Sequence, residues 1–142
     1  MTSQNMTSLK QITLVYAATL ATFVAIDAVW LTQVAIHQFT IALGDMLRPV
    51  PDVGAVVAFY LVYTAGLVYL AVRPSILEGS VAGAAVKGAV LGLTAYATFD
   101  LTNLAVLKGW TPGLAALDIA WGTVLTAVSA AIGCWIGLRF RS

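Results

Sequence analysis

The stretch Thr94–Trp121 reads TAYATFDLTNLAVLKGWTPGLAALDIAW, two apolar helical runs joined by the polar turn Lys108–Pro112, and each run carries one carboxylate, Asp100 or Asp118. Runs of this kind are written for lipid. A charge at the bilayer centre costs from about 3 to more than 10 kcal/mol, so an acid kept at that depth marks a functional site by default. A third acid, Asp27, stands in the first apolar run of the chain.

Composition places the whole chain in the same solvent. Of its 142 residues, 61% are hydrophobic and 9% charged, with a mean hydropathy of +0.95. In a soluble domain roughly a quarter of residues are charged. The length allows four spans of about 20 residues with short connections and leaves no room for a separate soluble domain. The expected fold is therefore all-α, a four-helix membrane bundle forming one domain over residues 1–142, with the lipid bilayer as its first partner. The net charge of +1 speaks against a nucleic-acid partner and against a strong electrostatic membrane patch. Cys134 is the sole cysteine, so an intrachain disulfide, a CxxC pair and a thiolate metal cage are excluded, and it reads as a small apolar filler in the last helix.

In chain order, Met1–Gln11 is a short polar tail and the first span covers about 12–36. It opens as a signal peptide does, with one lysine before an apolar run, but the run is too long and no A-x-A-like cleavage site follows, so it is expected to be retained. His37–Arg48 is amphipathic and ends at Pro49 and Pro51. Two readings of it are open, a short interfacial helix or an extension of the first span. The second span, about 53–72, should stop at Arg73-Pro74, because proline does not continue a helix. Ser75–Glu78 reads as a capping box for the third span, about 81–107. Thr111 as N-cap with Pro112 in the first turn starts the fourth, about 112–137.

Lysine and arginine set the orientation. Lys10, Arg73, Lys87, Arg139 and Arg141 fall at the end of the bundle that holds the termini, against Arg48 and Lys108 at the other. The positive-inside rule puts both termini in the cytoplasm. At 1.5 Å per residue, Asp27 lies about 22 Å up its span, Asp100 about 28 Å up its own, and Asp118 about 9 Å below the outer end of the fourth. All three acids are expected in the outer half of the bilayer.

Their neighbours fit a site. Three residues after each acid come Trp30, Asn103 and Trp121, and positions three apart share a helical face. Asp27–Thr32 and Asp118–Thr123 both read D-x-x-W-x-T, the trace of an internal repeat. Tyr96 precedes Asp100 by one turn, and Tyr60 and Tyr63 enter the second span at a comparable depth. The bland alternative is that protonated aspartates merely tie helices together, at about 0.6 to 2 kcal/mol per bond. Three acids at one level with no lysine or arginine beside them favour a ligand, cation or proton site. Like charges held close cannot all ionise.

Oxygen ligands without histidine or thiol would suit a hard cation over zinc or copper, but no metal ligand is assigned and no cofactor is named. The sole histidine, His37, is expected at the membrane edge as a solvated residue. No Ser/His/Asp triad, phosphate loop or H-E-x-x-H is present, so ordinary hydrolase and kinase mechanisms have no support. Gly79-x-x-x-Gly83, Gly88-x-x-x-Gly92 and Gly133-x-x-x-Gly137 permit close helix approach, within the bundle or in a homo-oligomer. Lys87 reads as snorkelling to the cytoplasmic surface or meeting an anionic lipid head group.

FYLVYTAG at Phe59–Gly66, YATFDLTNLA at Tyr96–Ala105, KGW at Lys108–Trp110 and DIAWGT at Asp118–Thr123, with Asp27 and Trp30, resemble domain-of-unknown-function family 2177, bacterial membrane proteins. The resemblance covers nearly the whole chain and implies a small four-span membrane protein, with no catalytic role for any residue. The reading that follows is a carboxylate-lined polar pocket binding or moving a small solute, cation or proton. Asp27, Asp100 and Asp118 would carry charge or protons, and Asn103, Trp30, Trp121, Tyr60, Tyr63 and Tyr96 would line and orient. The alternatives are an enzyme or enzyme subunit acting on a lipid or isoprenoid, with a pocket acid as general acid or base, and a purely structural accessory protein.

Overall fold

The structure, a computed structural model, describes residues 8–141; the polar tail expected over Met1–Gln11 lies, up to residue 7, outside the described residues. Four helices are long and apolar enough to cross a membrane: α1, Leu9–Met46; α2, Val53–Glu78; α3, Val81–Val106; and α4, Pro112–Arg139. No strand occurs among the described residues. In lipid this is the form the backbone must take, because each helix satisfies its own N–H and C=O groups.

Every helix start has a side-chain cap written into the sequence. Ser8 Oγ accepts from the Gln11 N–H at 3.1 Å, Asp52 Oδ1 from Ala55 at 3.0 Å, Ser80 Oγ from Gly83 at 2.8 Å and Thr111 Oγ1 from Leu114 at 3.1 Å. The Thr111-Pro112 start is as expected. The cap of α3 is Ser80, not a box at Ser75–Glu78, because those four residues still belong to α2.

That difference has its origin at Pro74. The helix does not stop at Arg73-Pro74; it widens into a π-helical turn over Val68–Val72, closed by the Arg73 N–H bonding the Val68 carbonyl, and runs on to Glu78. Proline in a regular helix removes one bond and presses on the carbonyl four residues back. An extra residue in the turn before it relieves both. The chain leaves the helix at Gly79, whose φ of +70° is a left-handed cap that a side chain would resist. Gly79 therefore ends a helix and does not serve as a packing surface.

A second π-helical turn, Leu31–Ala35, lies in α1, and beyond it the helix continues to Met46. His37–Arg48 is thus mainly an extension of the first span and not a separate helix. The extension leans over the turn between α3 and α4: Phe39 meets the Trp110 ring edge-on at 5.5 Å, and a Cβ on Gly109 would stand 2.5 Å from the Ala42 carbonyl oxygen. Trp110, Leu114 and Ala115 are buried beneath it.

Helix spacing is uneven, and glycine sets it. The closest pair is α3 with α4, where a Cβ on Gly88 would fall 2.8 Å from the Thr126 carbonyl oxygen and one on Gly92 2.6 Å from that of Gly122. Gly133 and Gly137 let α4 meet Thr19 and Val15 of α1 and Ile76 of α2. The core filled by these contacts includes Val15, Phe23, Leu67, Ile76, Leu125 and Cys134. Nearest the termini, Lys87 is held by Glu78 at 2.5 Å and Ser75 at 3.3 Å. Its partner within the protein is a carboxylate, and the exposed position keeps the bond weak. The first half of α2 touches mainly α1 and stands away from α3 and α4.

Gly92→Ala should therefore destabilise the bundle by about 1–3 kcal/mol through overpacking against backbone. Gly66→Ala, where a Cβ meets open space, should leave the apparent Tm in detergent unchanged or raised.

Candidate functional site

Where α2 stands off, a cavity of about 430 Å³ remains, walled by all four helices. From α1 it is lined by Asp27, Trp30, Leu31 and Phe39; from α2 by Val56, Phe59, Tyr60 and Tyr63. Ala95, Tyr96 and Phe99 of α3 and Asp118 and Trp121 of α4 complete the wall. The walls are aromatic, so the pocket is not polar as a whole. Its polarity is confined to a few carboxyl groups and tyrosine hydroxyls set in an otherwise apolar wall.

Asp27 is the best-held of the acids. It is 5% exposed; the Tyr60 hydroxyl donates to Oδ2 at 2.7 Å and the Trp121 indole N–H to Oδ1 at 3.1 Å. Each carboxylate oxygen thus has one donor. Trp30 lies flat on Trp121, with centroids 4.5 Å apart and planes 6° from parallel. The two D-x-x-W segments noted in the sequence meet face to face, and the wide turn beginning at Leu31 follows directly on this stack.

The tyrosines are placed by small residues on α4. A Cβ on Gly122 would collide with the Tyr96 ring, so only glycine there lets that ring lie against the helix. Thr126 gives its hydroxyl hydrogen to the Gly122 carbonyl at 2.6 Å, which makes Tyr63 the donor in its 2.8 Å bond to Thr126. Tyr63 and Tyr96 then meet edge to face, 6.1 Å apart.

Asp118 is 8% exposed and forms part of the wall. Behind it lies Asp100, fully buried, with Asp118 and Trp110 as its polar neighbours. Neither Asp100 oxygen receives a hydrogen bond from the described residues, and the Trp110 indole nitrogen beside it is also buried without a partner. Such groups are costly to leave unmatched. Among the described residues the one ion pair is Lys87–Glu78, so no basic side chain faces the three acids. No group of three or more His, Cys, Asp or Glu among those residues is arranged to hold a metal.

The structure thus brings Asp27, Asp118, Trp30, Trp121, Tyr60, Tyr63 and Tyr96 to one cavity, sets Asp100 just behind it, and leaves Asn103 outside the lining. The sequence reading missed the apolar wall of Leu31, Phe39, Val56, Phe59, Ala95 and Phe99. A signal was there: Val56, Phe59, Tyr60 and Tyr63 recur at the helical spacing, as do Ala95, Tyr96 and Phe99.

Two measurements check this geometry. The stacked indoles should give an exciton couplet in circular dichroism that Trp30→Phe or Trp121→Phe abolishes and Trp135→Phe preserves. Tyr60→Phe, which removes a donor from Asp27, should lower stability by about 1 kcal/mol; Tyr69→Phe, 69% exposed on the outside of α2, should not.

No curated protein and no solved structure matches the chain. Residues 12–135 match the family described as "Predicted membrane protein (DUF2177)". The match covers most of the chain and agrees with the four apolar helices, and the protein belongs to the DUF2177 family of multi-pass membrane proteins.

Proposed function

We propose that the cavity binds a small organic cation with an apolar body, in the outer half of a bacterial inner membrane with both termini cytoplasmic. The observation that carries this reading is the meeting of two buried carboxyl groups, Asp27 and Asp118, with an aromatic chamber and no basic residue opposite them. Aromatic faces attract cations, by about 2 kcal/mol or more when desolvated. The volume is within the range of small-molecule sites. In this reading Asp27 and Asp118 attract the charge, while Trp30, Trp121, Tyr60, Tyr63 and Tyr96 surround the body. Asn103 and Asp100 act from outside the cavity wall.

The bundle's own helices occupy Gly88, Gly92, Gly133 and Gly137. A homo-oligomer formed through those faces would have to displace them.

A second reading, an enzyme or enzyme subunit acting on a lipid or isoprenoid, has one observation in its favour. The rim residues Phe59 and Phe99 are 43% and 53% exposed, so the chamber opens sideways to where acyl chains would lie. The purely structural reading is weakened by the cavity and by the unbonded Asp100.

Benzyltrimethylammonium should raise the Tm of the detergent-purified protein, and its neutral carbon isostere neopentylbenzene should do so far less. Asp27→Asn should remain folded and bind the cation at least tenfold more weakly, a loss of about 1.4 kcal/mol or more. Equal stabilisation by cation and isostere would favour the lipid reading instead.

A further inference from the structure

Asp100 has no part in the cavity wall, yet it is fully buried and neither of its oxygens receives a hydrogen bond from the described residues. An ionised aspartate in that position would need donors. Its polar neighbours are the Trp110 indole N–H, which can supply one donor, and Asp118, whose carboxyl also needs a donor if ionised. A single proton resolves both demands: the O–H of one acid donates to the carboxylate of the other. Two carboxyl groups that touch cannot both ionise without a nearby cation. Asp118 reaches the cavity on its other side, so whatever charge enters the chamber acts on this pair through Asp118.

Among the described residues, none of the groups around the pair takes over the proton's role. From α1, Asp27 lines the same cavity as Asp118 and is bonded by Tyr60 of α2 and Trp121 of α4. Tyr63 of α2 is bonded to Thr126, and Tyr96 of α3 lies against Gly122. Trp110, from the turn after α3, offers an indole N–H that does not titrate. No lysine, arginine or histidine among the described residues forms an ion pair with any of the three acids.

We propose that Asp100 and Asp118 hold one exchangeable proton between them and release it when a cation occupies the cavity. The proposal rests on the cation reading above. Its physical basis is charge conservation in a low-dielectric site: one positive charge enters, one proton leaves to solvent, and the buried set keeps the same net charge. A positive charge in the chamber favours the ionised form of the carboxyls beside it, so it competes with the proton that the pair holds. The chain would then be a proton-for-cation exchanger, with Asp118 as the shared element and Asp100 as a positioning residue that holds the proton out of the chamber.

The sign of the pH dependence follows. Raising the pH removes the competing proton, so cation affinity should rise, by up to tenfold per unit, while the pair is protonated and level off once it is not. Lowering the pH should weaken binding.

Two experiments test the proposal, with the tryptophan exciton couplet as the check on folding. Infrared spectroscopy of the cation-free protein at neutral pH should detect the C=O stretch of a protonated carboxylic acid. Asp100→Asn and Asp118→Asn should each remove it, and its absence from the wild type overturns the proton pair. Calorimetry of benzyltrimethylammonium binding, in buffers of different ionisation enthalpy, should report close to one proton released per cation bound. In Asp100→Asn that release should fall to near zero and cation affinity should cease to vary with pH. Wild-type binding without proton release, or release that persists in Asp100→Asn, overturns the exchange. If the cation does not bind at all, the cation reading fails and the exchange fails with it, and the infrared result then decides separately whether the pair holds a proton.

Discussion

Three carboxyl groups in lipid, with no basic residue among the described residues to meet them, are the constraint on which the rest of this structure depends. Coulombic pairing inside the protein is not on offer, so the chain uses neutral donors instead. Asp27 receives a tyrosine hydroxyl and an indole N–H, and both donors come from other helices. Those two bonds tie α1 to α2 and to α4 at the level of the cavity. Asp100 and Asp118 have no such pair of donors and, beside the Trp110 indole, are left with each other.

The bundle can hold such a site because its helices are tightly joined elsewhere. Glycines on α3 and α4 bring these two backbones close along one seam, and Gly133 and Gly137 bring α1 and the far half of α2 onto the same helix. Without a hydrophobic force between helices in lipid, close backbone approach is what supplies the van der Waals contact. Away from the termini the backbone of α2 stands off from α3 and α4, reached across the gap by the Tyr63 side chain, and the volume it vacates is the cavity. One helix therefore serves as anchor over its second half and as a wall over its first.

Both irregular turns contribute to this shape. At Val68–Val72 the wide turn lets α2 pass Pro74 and bury Ser75 and Ile76 against the bundle. At Leu31–Ala35 the wide turn in α1 begins immediately after the Trp30–Trp121 stack and sends the helix over the α3–α4 turn, where Phe39 joins the cavity wall. Wide turns of this type are frequent at functional sites.

Composition and pattern were enough to set the solvent and the helix number. Hydropathy and length required four apolar helices, Thr111-Pro112 marked one beginning, and the cost of an acid in lipid singled out Asp27, Asp100 and Asp118. The sequence did not reveal that Pro74 would be absorbed, that the first helix would run to Met46, or that Asn103 would fall outside the wall while Phe59 and Phe99 lined it. Those outcomes belong to the tertiary structure. In a soluble helix the polar face identifies the apolar face that packs, but a helix surrounded by lipid is apolar on every side. Its sequence therefore carries little record of which residues turn inward, and a cavity is set by the spacing between helices, which only their packing decides.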